Sequence, residues 1–170
     1  MYQKDSHCSY CGRPFRPDAP WPRICTHCGR TTYRNPLPVA VVLLPIDDEG
    51  LLVVRRNIDP GRGLLALPGG FIELGETWQE AAVRELFEET GITIQPDTLR
   101  PFHVASAPDG TLLVFGLAPP LPAADLPPFT PRPECSERLI IRDATNFAFS
   151  LHAEAVHLFL ENRMQTNTNF

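Results

Sequence analysis

Short apolar runs separated by turn residues make up most of the chain after residue 38. Runs of four to eight apolar residues bounded by Gly, Pro or Asp are typical of β-strands. The turn at residues 47–50, Asp-Asp-Glu-Gly, separates the first two runs. The predicted strands are residues 39–46, 51–56, 65–67, 102–105, 111–117 and 138–142.

A different pattern, with apolar residues three and four positions apart, begins at residue 78 and predicts a helix over 78–89. Thr77 followed by Glu80 is a capping box, and Gly91 stands where a helix ends in a left-handed residue. A closing helix is predicted over 152–162. The residues expected on the buried side of the first helix are Val83, Leu86, Phe87 and Thr90.

Residues 119–133 contain seven prolines and predict a stiff loop, which could serve as a lid, an interface arm or a plain connector. With no internal repeat, two modules account for the chain. We predict a small ribbon over residues 1–34 and one α/β domain over residues 35–170.

Charge is divided unevenly between these modules. The chain of 170 residues has a net charge of −5, of which residues 1–38 carry +4 and the remainder −9. An acidic domain repels an anionic ligand unless metal ions intervene. No apolar run approaches the roughly 18 residues of a membrane span, and the amino terminus lacks a signal-peptide layout. We therefore expect a cytoplasmic protein with no membrane partner.

Four of the five cysteines form two C-x-x-C-G segments separated by 13 residues. This spacing is typical of a tetrahedral Zn²⁺ site, which would be structural because four thiolates close the coordination shell. Two disulfides are the alternative, and His7 and His27 are less favoured ligands. Cys135 is left over as a free thiol. The predicted zinc ligands are Cys8, Cys11, Cys25 and Cys28.

Glu85, Glu88 and Glu89 lie on one side of the predicted helix because three and four residue steps return to the same face. Three neighbouring carboxylates repel one another, and the chain has only one lysine, Lys4. Hard oxygen ligands on a rigid helix are suited to Mg²⁺ or Mn²⁺. A solvated acidic face is the alternative interpretation.

The glycine pair Gly69-Gly70 precedes this helix and favours the metal site, since glycine lets a backbone approach a metal or phosphate closely. From Gly70 onward the sequence fits the pattern GX5EX7REUXEEXGU at all nine fixed positions. These positions are Gly70, Glu76, Arg84, Glu85, Leu86, Glu88, Glu89, Gly91 and Ile92. The domain therefore resembles the Nudix hydrolases over about residues 37–160.

The ribbon followed by Tyr-Arg-Asn-Pro at residues 33–36 resembles the zinc-ribbon branch of that family, with its NADH, ADP-ribose and FAD pyrophosphatases. The resemblance implies an α/β/α sandwich with a mixed sheet and a Mg²⁺ or Mn²⁺ cofactor. It implies metal ligands at the Gly69 carbonyl and at Glu85, Glu88 and Glu89. A further ligand or base is expected at Glu137, with Glu134 as second choice.

The same resemblance suggests roles around the ligands. Glu85 could instead act as the base, Arg84 would orient the glutamates, and Glu76 would hold the loop to the helix or join a further metal. We expect hydrolysis of the diphosphate of an ADP-linked small molecule such as ADP-ribose or FAD. Candidate substrate contacts are Arg55, Arg56, Phe147 and Phe149.

Alternatives remain open at this point. NADH or NAD-capped RNA could be the substrate, although the SQPWPFPxS stretch typical of NADH pyrophosphatases is missing. Another alternative is a non-enzymatic nucleotide or RNA-binding protein, since five ribbon arginines could contact RNA phosphates. A nucleotide sensor would need a DNA-reading domain, for which the sequence gives no sign. Similar enzymes suggest a homodimer.

Overall fold

The chain divides into two compact units, residues 1–36 and 37–170. A computed structural model describes residues 4–48 and 50–167, with the backbone alone for residues 164–167. The predicted boundary after residue 34 differs from this division by two residues. Neither helix in the described ranges combines the length and the apolar character needed to cross a bilayer.

The first unit is a two-stranded ribbon in which β1 (Arg23–Ile24) pairs antiparallel with β2 (Thr31–Thr32). Each cysteine pair sits on a tight turn closed by a glycine. Gly12 donates its N–H to the Cys8 carbonyl at 3.0 Å, and Gly29 donates to the Cys25 carbonyl at 2.8 Å. Both glycines have positive φ, +70° and +73°, which side chains disfavour. The two knuckles therefore share one geometry.

The second unit contains two sheets and two helices. Its strands are β3 (Leu37–Leu43), β4 (Pro45–Ile46), β5 (Gly50–Arg56), β6 (Leu65–Ala66), β7 (Gly69–Phe71), β8 (Arg100–Ser106), β9 (Thr111–Leu117) and β10 (Cys135–Ile141). In one sheet β5 lies between β10 on one side and β4 and β6 on the other, with all pairs antiparallel. The other sheet has the order β7-β3-β9-β8 and is mixed, because β3 and β9 run parallel.

The helices α1 (Trp78–Thr90) and α2 (Ser150–Asn167) belong to two separate buried clusters. Side chains of a strand alternate between faces, so β3 contributes to both clusters. Ala40 and Val42 cluster with Leu86 of α1, whereas Val41 and Leu43 cluster with Phe159 of α2. This three-layer packing confirms the α/β/α class with a mixed sheet.

Helix α1 is fixed at both ends. The Thr77 hydroxyl accepts from the Glu80 N–H at 3.2 Å, and the Glu80 carboxylate accepts from the Thr77 N–H at 2.7 Å. Gly91 ends the helix with φ +76°. The prediction that Phe87 is buried is wrong, since this ring is 49% exposed; Ala81, Ala82 and Glu89 are buried instead.

Part of the proline-rich segment at residues 119–133 is packed against the second unit. Leu121, Ala123 and Leu126 lie against the cluster around α1. Leu121 exchanges backbone hydrogen bonds with Pro45 and Asp47, and Arg138 donates to the Pro127 carbonyl at 2.6 Å.

In the second unit, the sequence analysis did not predict the strand β7, because it contains two glycines, which have low strand propensity.

Removing the N-cap should destabilise α1. We expect Thr77→Ala to lower the free energy of unfolding of the second unit by about 1 kcal/mol at pH 7, measured in urea. Thr130→Ala is the control, because Thr130 is exposed and no hydrogen bond joins its side chain to another of the described residues. A Thr77→Ala midpoint equal to that of Thr130→Ala would contradict the capping role.

The penalty should also depend on pH. The Thr77 N–H lowers the pKa of Glu80 below its ordinary 4.5, and the Thr77 hydroxyl adds to this. Folding therefore gains from this ionised carboxylate above pH 4.5 and loses the gain as pH falls and Glu80 protonates. Part of the Thr77→Ala difference should disappear in acid.

Candidate active site and metal-binding clusters

The four ribbon cysteines converge. Their sulfur atoms all lie within 4.8 Å of one another, with Cys8 and Cys28 at 3.7 Å and Cys11 and Cys25 at 3.6 Å. A tetrahedral ion with Zn–S bonds of ~2.3 Å places its sulfurs about 3.8 Å apart. All five cysteines are free thiols, so the disulfide alternative is not supported. His7 and His27 are not members of this group.

Two of the four ribbon thiols are favoured as thiolates. The backbone N–H groups of Cys28 and His27 lower the pKa of Cys25. Against the effect of burial, backbone N–H groups lower the pKa of Cys8 to about 6, whereas burial and the neighbouring sulfurs raise that of Cys11 to about 11. Thiolate is the form that binds a metal ion. The donor set therefore fits a closed four-sulfur site.

In the second unit, Arg84 joins three of the predicted site carboxylates. Its guanidinium donates to both oxygens of Glu76, at 2.8 and 3.0 Å, and to Glu85 at 2.7 Å. A longer bond of 3.3 Å reaches Glu88, and another of 3.0 Å reaches the Phe71 carbonyl. The hydrogen bond to Glu76 raises the pKa of Arg84, although burial alone would lower it. In turn, the hydrogen bond from Arg84 lowers the pKa of Glu76 to about 2. Arg84 thus connects α1 to the loop that follows β7.

Glu89 is the buried carboxylate of the set, only 8% exposed. The Gly69 N–H donates to it at 3.1 Å, and no basic group within the described ranges forms an ion pair with it. Burial raises the pKa of Glu89 to about 8, and the charge of Glu85 adds to this. A buried carboxyl group without a cationic partner is relieved by taking up a proton near neutral pH, and a bound cation would instead favour its ionised form.

Glu85 and Glu88 complete the predicted ligand set on α1. The Glu85 carboxylate lies against Gly70, so a side chain at this position would force that carboxylate to move. Burial raises the pKa of Glu85, against the effect of Arg84. The Glu88 side chain is 55% exposed. In the described ranges, the only group of three or more possible metal-ligand atoms within 4.8 Å of one another is that of the four cysteines. The carboxylate oxygens of α1 are therefore farther apart than the cysteine sulfurs.

Glu134, just before β10, and Glu137, near its start, lie in different surroundings. Glu137 pairs with Arg55 at 2.7 Å across the β5–β10 ladder. Glu134 is exposed, and its charge contributes to raising the pKa of Glu85, Glu89 and Cys135. The electrostatic neighbour of the α1 carboxylates in this segment is therefore Glu134, which the sequence analysis ranked second.

The predicted substrate contacts also separate. Arg55 donates to Glu137 and to the Gly63 carbonyl, while Arg56 lies 4.9 Å over the ring of Phe149. The backbone of Phe147 forms a β-bridge with Leu65, and its side chain packs against the buried cluster around α2. Arg56 and Phe149 share one surface, whereas Phe147 contributes to the core.

Sequence reasoning missed two side chains near this site. Cys135 is buried and lies beside Glu89, although it was expected only as a free thiol. His152 is also buried and accepts the Leu67 N–H at 3.1 Å through Nδ1. Single residues of these types carry no motif, so only the fold reveals their position.

Comparison with known proteins gives concordant relatives. NAD-capped RNA hydrolase NudC of Salmonella heidelberg is 34% identical over 96 residues, 56% of this chain and 37% of that protein. The NudC of Edwardsiella ictaluri is 35% identical over 96 residues, which are again 56% of this chain and 37% of that protein. The aligned region thus spans well under half of these curated relatives.

Solved structures extend the likeness over more of the fold. A NUDIX hydrolase from Nitrosomonas europaea matches with a TM-score of 0.72 and 26% identity, covering 94% of this chain and 93% of that one. A bifunctional NMN adenylyltransferase/ADP ribose pyrophosphatase from Francisella tularensis, complexed with AMP and an Mn ion, matches with a TM-score of 0.64 and 27% identity. The latter match covers 76% of this chain and 42% of that chain.

The sequence also matches the NUDIX domain over residues 36–138, a region that contains all nine motif positions. This region includes β3 to β9, α1 and the glutamates held by Arg84. Because the match covers more than half of its residues, the chain belongs to the NUDIX family.

Proposed function

We propose that this protein hydrolyses the diphosphate linkage of an ADP-linked small molecule, such as ADP-ribose or FAD, to AMP and a phosphorylated product. The observation that carries this proposal is Glu89, a buried carboxyl group without a cationic partner among the described residues, on the same helix as Glu85 and Glu88. Family membership supports the reaction class. The AMP and Mn ion named for the Francisella structure agree with the substrate class.

The residues present fit Mg²⁺ or Mn²⁺. Glu85, Glu88 and Glu89 offer hard oxygen ligands, and the exposed Glu88 side chain has room to turn toward a bound ion. The Gly69 carbonyl stays a proposed ligand, since its N–H already holds Glu89 in place. When bound, the ion neutralises the diphosphate oxygens and acidifies water.

The chain itself supplies orientation and a proton acceptor. Arg84 fixes Glu85 and Glu76, and the capping box fixes the helix that carries them. A carboxylate from a separate element can accept the proton of the attacking water from another direction. Proximity to Glu85 and Glu89 supports Glu134 for this task, whereas Glu137 is engaged by Arg55. Glu85 is the remaining alternative.

NAD-capped RNA is a second candidate substrate. The matched curated relatives are named as hydrolases of it, although the alignment spans only 37% of their length. The ribbon supports an RNA partner through its net positive charge and through Arg30, which lies 4.9 Å over the ring of Tyr10.

We also propose that the protein forms a homodimer and is located in the cytoplasm.

A substrate panel tests the proposed reaction. ADP-ribose, FAD, NADH, NAD-capped RNA and nucleoside triphosphates are incubated with Mg²⁺ or Mn²⁺, and released AMP is measured. Glu89→Gln should reduce the rate on the best substrate by about 100-fold or more, because it removes a charge that the loaded site needs. Its unfolding midpoint without metal should equal or exceed that of the wild type.

Glu154→Gln is the matched control, since it removes one exposed carboxylate on α2. It should retain the wild-type rate. Glu89→Gln retaining most activity on every substrate would mean that Glu89 does not hold a catalytic cation. No AMP release from any ADP-linked compound would exclude the proposed substrate class.

The proton acceptor can be identified with a pair of variants. We expect Glu134→Gln to lower kcat by at least about tenfold with a smaller change in KM, and Glu137→Gln to be milder. The reverse order would identify Glu137 as the proton acceptor, which is the residue that the sequence analysis preferred. Equal and small effects would leave Glu85 as the acceptor.

The ribbon should contain one structural zinc per chain. Metal analysis of the purified protein should find it, and Cys11→Ser should lower zinc content and the stability of residues 1–36. Cys135→Ser is the control that leaves zinc content unchanged. Zinc-free protein with a fully folded ribbon would contradict this prediction.

A further inference from the structure

A pocket of about 300 Å³ lies entirely within the ribbon unit. Its described walls are formed by residues between 4 and 34, and none of the four candidate zinc ligands is among them. The volume lies at the lower end of the ~300–1,000 Å³ range that is typical of small-molecule sites. A structural metal site explains the cysteines, but it leaves this pocket without a role.

The segment between the two cysteine knuckles supplies the aromatic part of the walls. Residues 14–22, Pro-Phe-Arg-Pro-Asp-Ala-Pro-Trp-Pro, contain four prolines, which restrict the backbone conformation before any ligand binds. Phe15 and Trp21 line the pocket, with ring centres 6.3 Å apart in an edge-to-face arrangement. Walls that are already ordered lose little conformational entropy when a flat ring packs against them.

Positive charge exceeds negative charge around the pocket. Lys4, Arg23 and Arg34 line it, against the carboxylate of Asp5. Arg34 pairs with Asp5 at 3.6 Å, and its side chain is 64% exposed. Lys4 and Arg23 form no ion pair with any other described residue. Their two charges therefore lack a counter-charge within the described part of the ribbon, which favours an anionic ligand.

Arg23 is held against both aromatic rings and by two backbone carbonyls. Its guanidinium carbon lies 4.6 Å from the ring centre of Trp21 and 5.6 Å from that of Phe15. Its Nε donates to the Ala19 carbonyl at 2.8 Å, and its Nη1 donates to the Asp5 carbonyl at 3.1 Å. Its Nη2 has no acceptor among the described residues and is not buried. The guanidinium is therefore oriented in advance, and its Nη2–H groups are available to a phosphate oxygen.

We propose that this ribbon pocket binds a nucleoside phosphate, either as a free nucleotide or as one unit of a single-stranded RNA. The base packs against Phe15 and Trp21. The phosphate oxygens accept hydrogen bonds from Arg23 and are attracted by Lys4 and Arg34. An acidic peptide would match the charges but would leave the aromatic walls without a flat partner. The inference stands apart from the hydrolase proposal, because it uses no residue of the second unit.

Lys4 provides a reporter inside the pocket because it is the only lysine of the chain. Reductive methylation with ¹³C-formaldehyde labels its amine, which keeps its charge, and the signal is assigned by its loss in Lys4→Gln. AMP, ribose 5-phosphate, a single-stranded oligoadenylate and an oligoglutamate peptide are titrated into zinc-loaded protein without other metal ions. We expect AMP or the oligoadenylate to shift the Lys4 signal saturably. Ribose 5-phosphate should bind at least about fivefold more weakly than the nucleotide, because it lacks the base.

Two arginine variants separate the pocket from the general positive charge of the ribbon. Arg34→Gln removes a charge that lines the pocket, whereas Arg16→Gln removes an exposed charge that does not. Both variants retain Lys4 as the reporter. We expect Arg34→Gln to keep its zinc and to weaken nucleotide binding at least about fivefold. Arg16→Gln should bind the nucleotide as the wild type does.

The titrations identify the source of the nucleotide as well as its site. A shift with AMP indicates a free nucleotide, and a shift with the oligoadenylate alone indicates a unit of RNA. Equal weakening by Arg34→Gln and Arg16→Gln would overturn the proposal, because it would indicate diffuse electrostatic binding. Equal affinity for the nucleotide and ribose 5-phosphate, a response to oligoglutamate alone, or no shift with any probe would overturn it too.

Failure of this inference is distinguishable from failure of the hydrolase proposal. The Lys4 signal is recorded without Mg²⁺ or Mn²⁺, so it does not depend on turnover. A saturable shift in a protein that releases no AMP from any ADP-linked compound would retain the pocket and reject the reaction. Release of AMP from an ADP-linked compound, with no shift of the Lys4 signal, would retain the reaction and reject the pocket.

Discussion

Repulsion between carboxylates on α1 is the constraint around which the second unit is arranged. Glu85, Glu88 and Glu89 share one side of a helix, where like charges three and four residues apart destabilise it. Each is treated differently by its surroundings. Arg84 binds Glu85 at 2.7 Å, Glu88 is left largely in solvent, and Glu89 is buried with an N–H from Gly69. A divalent cation would convert this repulsion into attraction.

This arrangement requires the backbone around α1 to be fixed. Arg84 reaches across to Glu76 and to the Phe71 carbonyl, which ties the helix to the loop after β7. The absence of a side chain at Gly70 leaves the space that the Glu85 carboxylate occupies. The capping box and Gly91 then hold the two helix ends. Local rules of helix termination therefore support the electrostatics of the site.

The sequence was most informative where a local pattern had a physical cause. The capping box, Gly91 and the two cysteine knuckles were predicted at the right residues because each depends on only a few neighbouring positions. The strand β7 was missed since its residues Gly69 and Gly70 are there for close approach and have no strand propensity. Burial of Phe87 was predicted from helical spacing, yet its ring lies exposed near Arg132.

Long-range placement was beyond the sequence. Nothing near residues 134–137 indicates which glutamate faces α1, because this depends on the register irregularity between β10 and β5. The turn from β8 to β9 likewise comes close to the start of α2, although the two segments are about 40 residues apart in the chain. Such contacts are properties of the fold and carry no motif.

The position of Cys135 has a consequence for the chemistry of its sulfur. Burial raises the pKa of this thiol to about 12, and the adjacent Glu89 charge adds to the effect. Alkylating reagents and peroxides attack the thiolate, so this cysteine is protected from both although it stands next to the carboxylates of α1. Oxidants would therefore reach the exposed ribbon sulfurs of Cys11 and Cys28 first and break up the four-sulfur cluster, while the thiol beside Glu89 stays chemically intact.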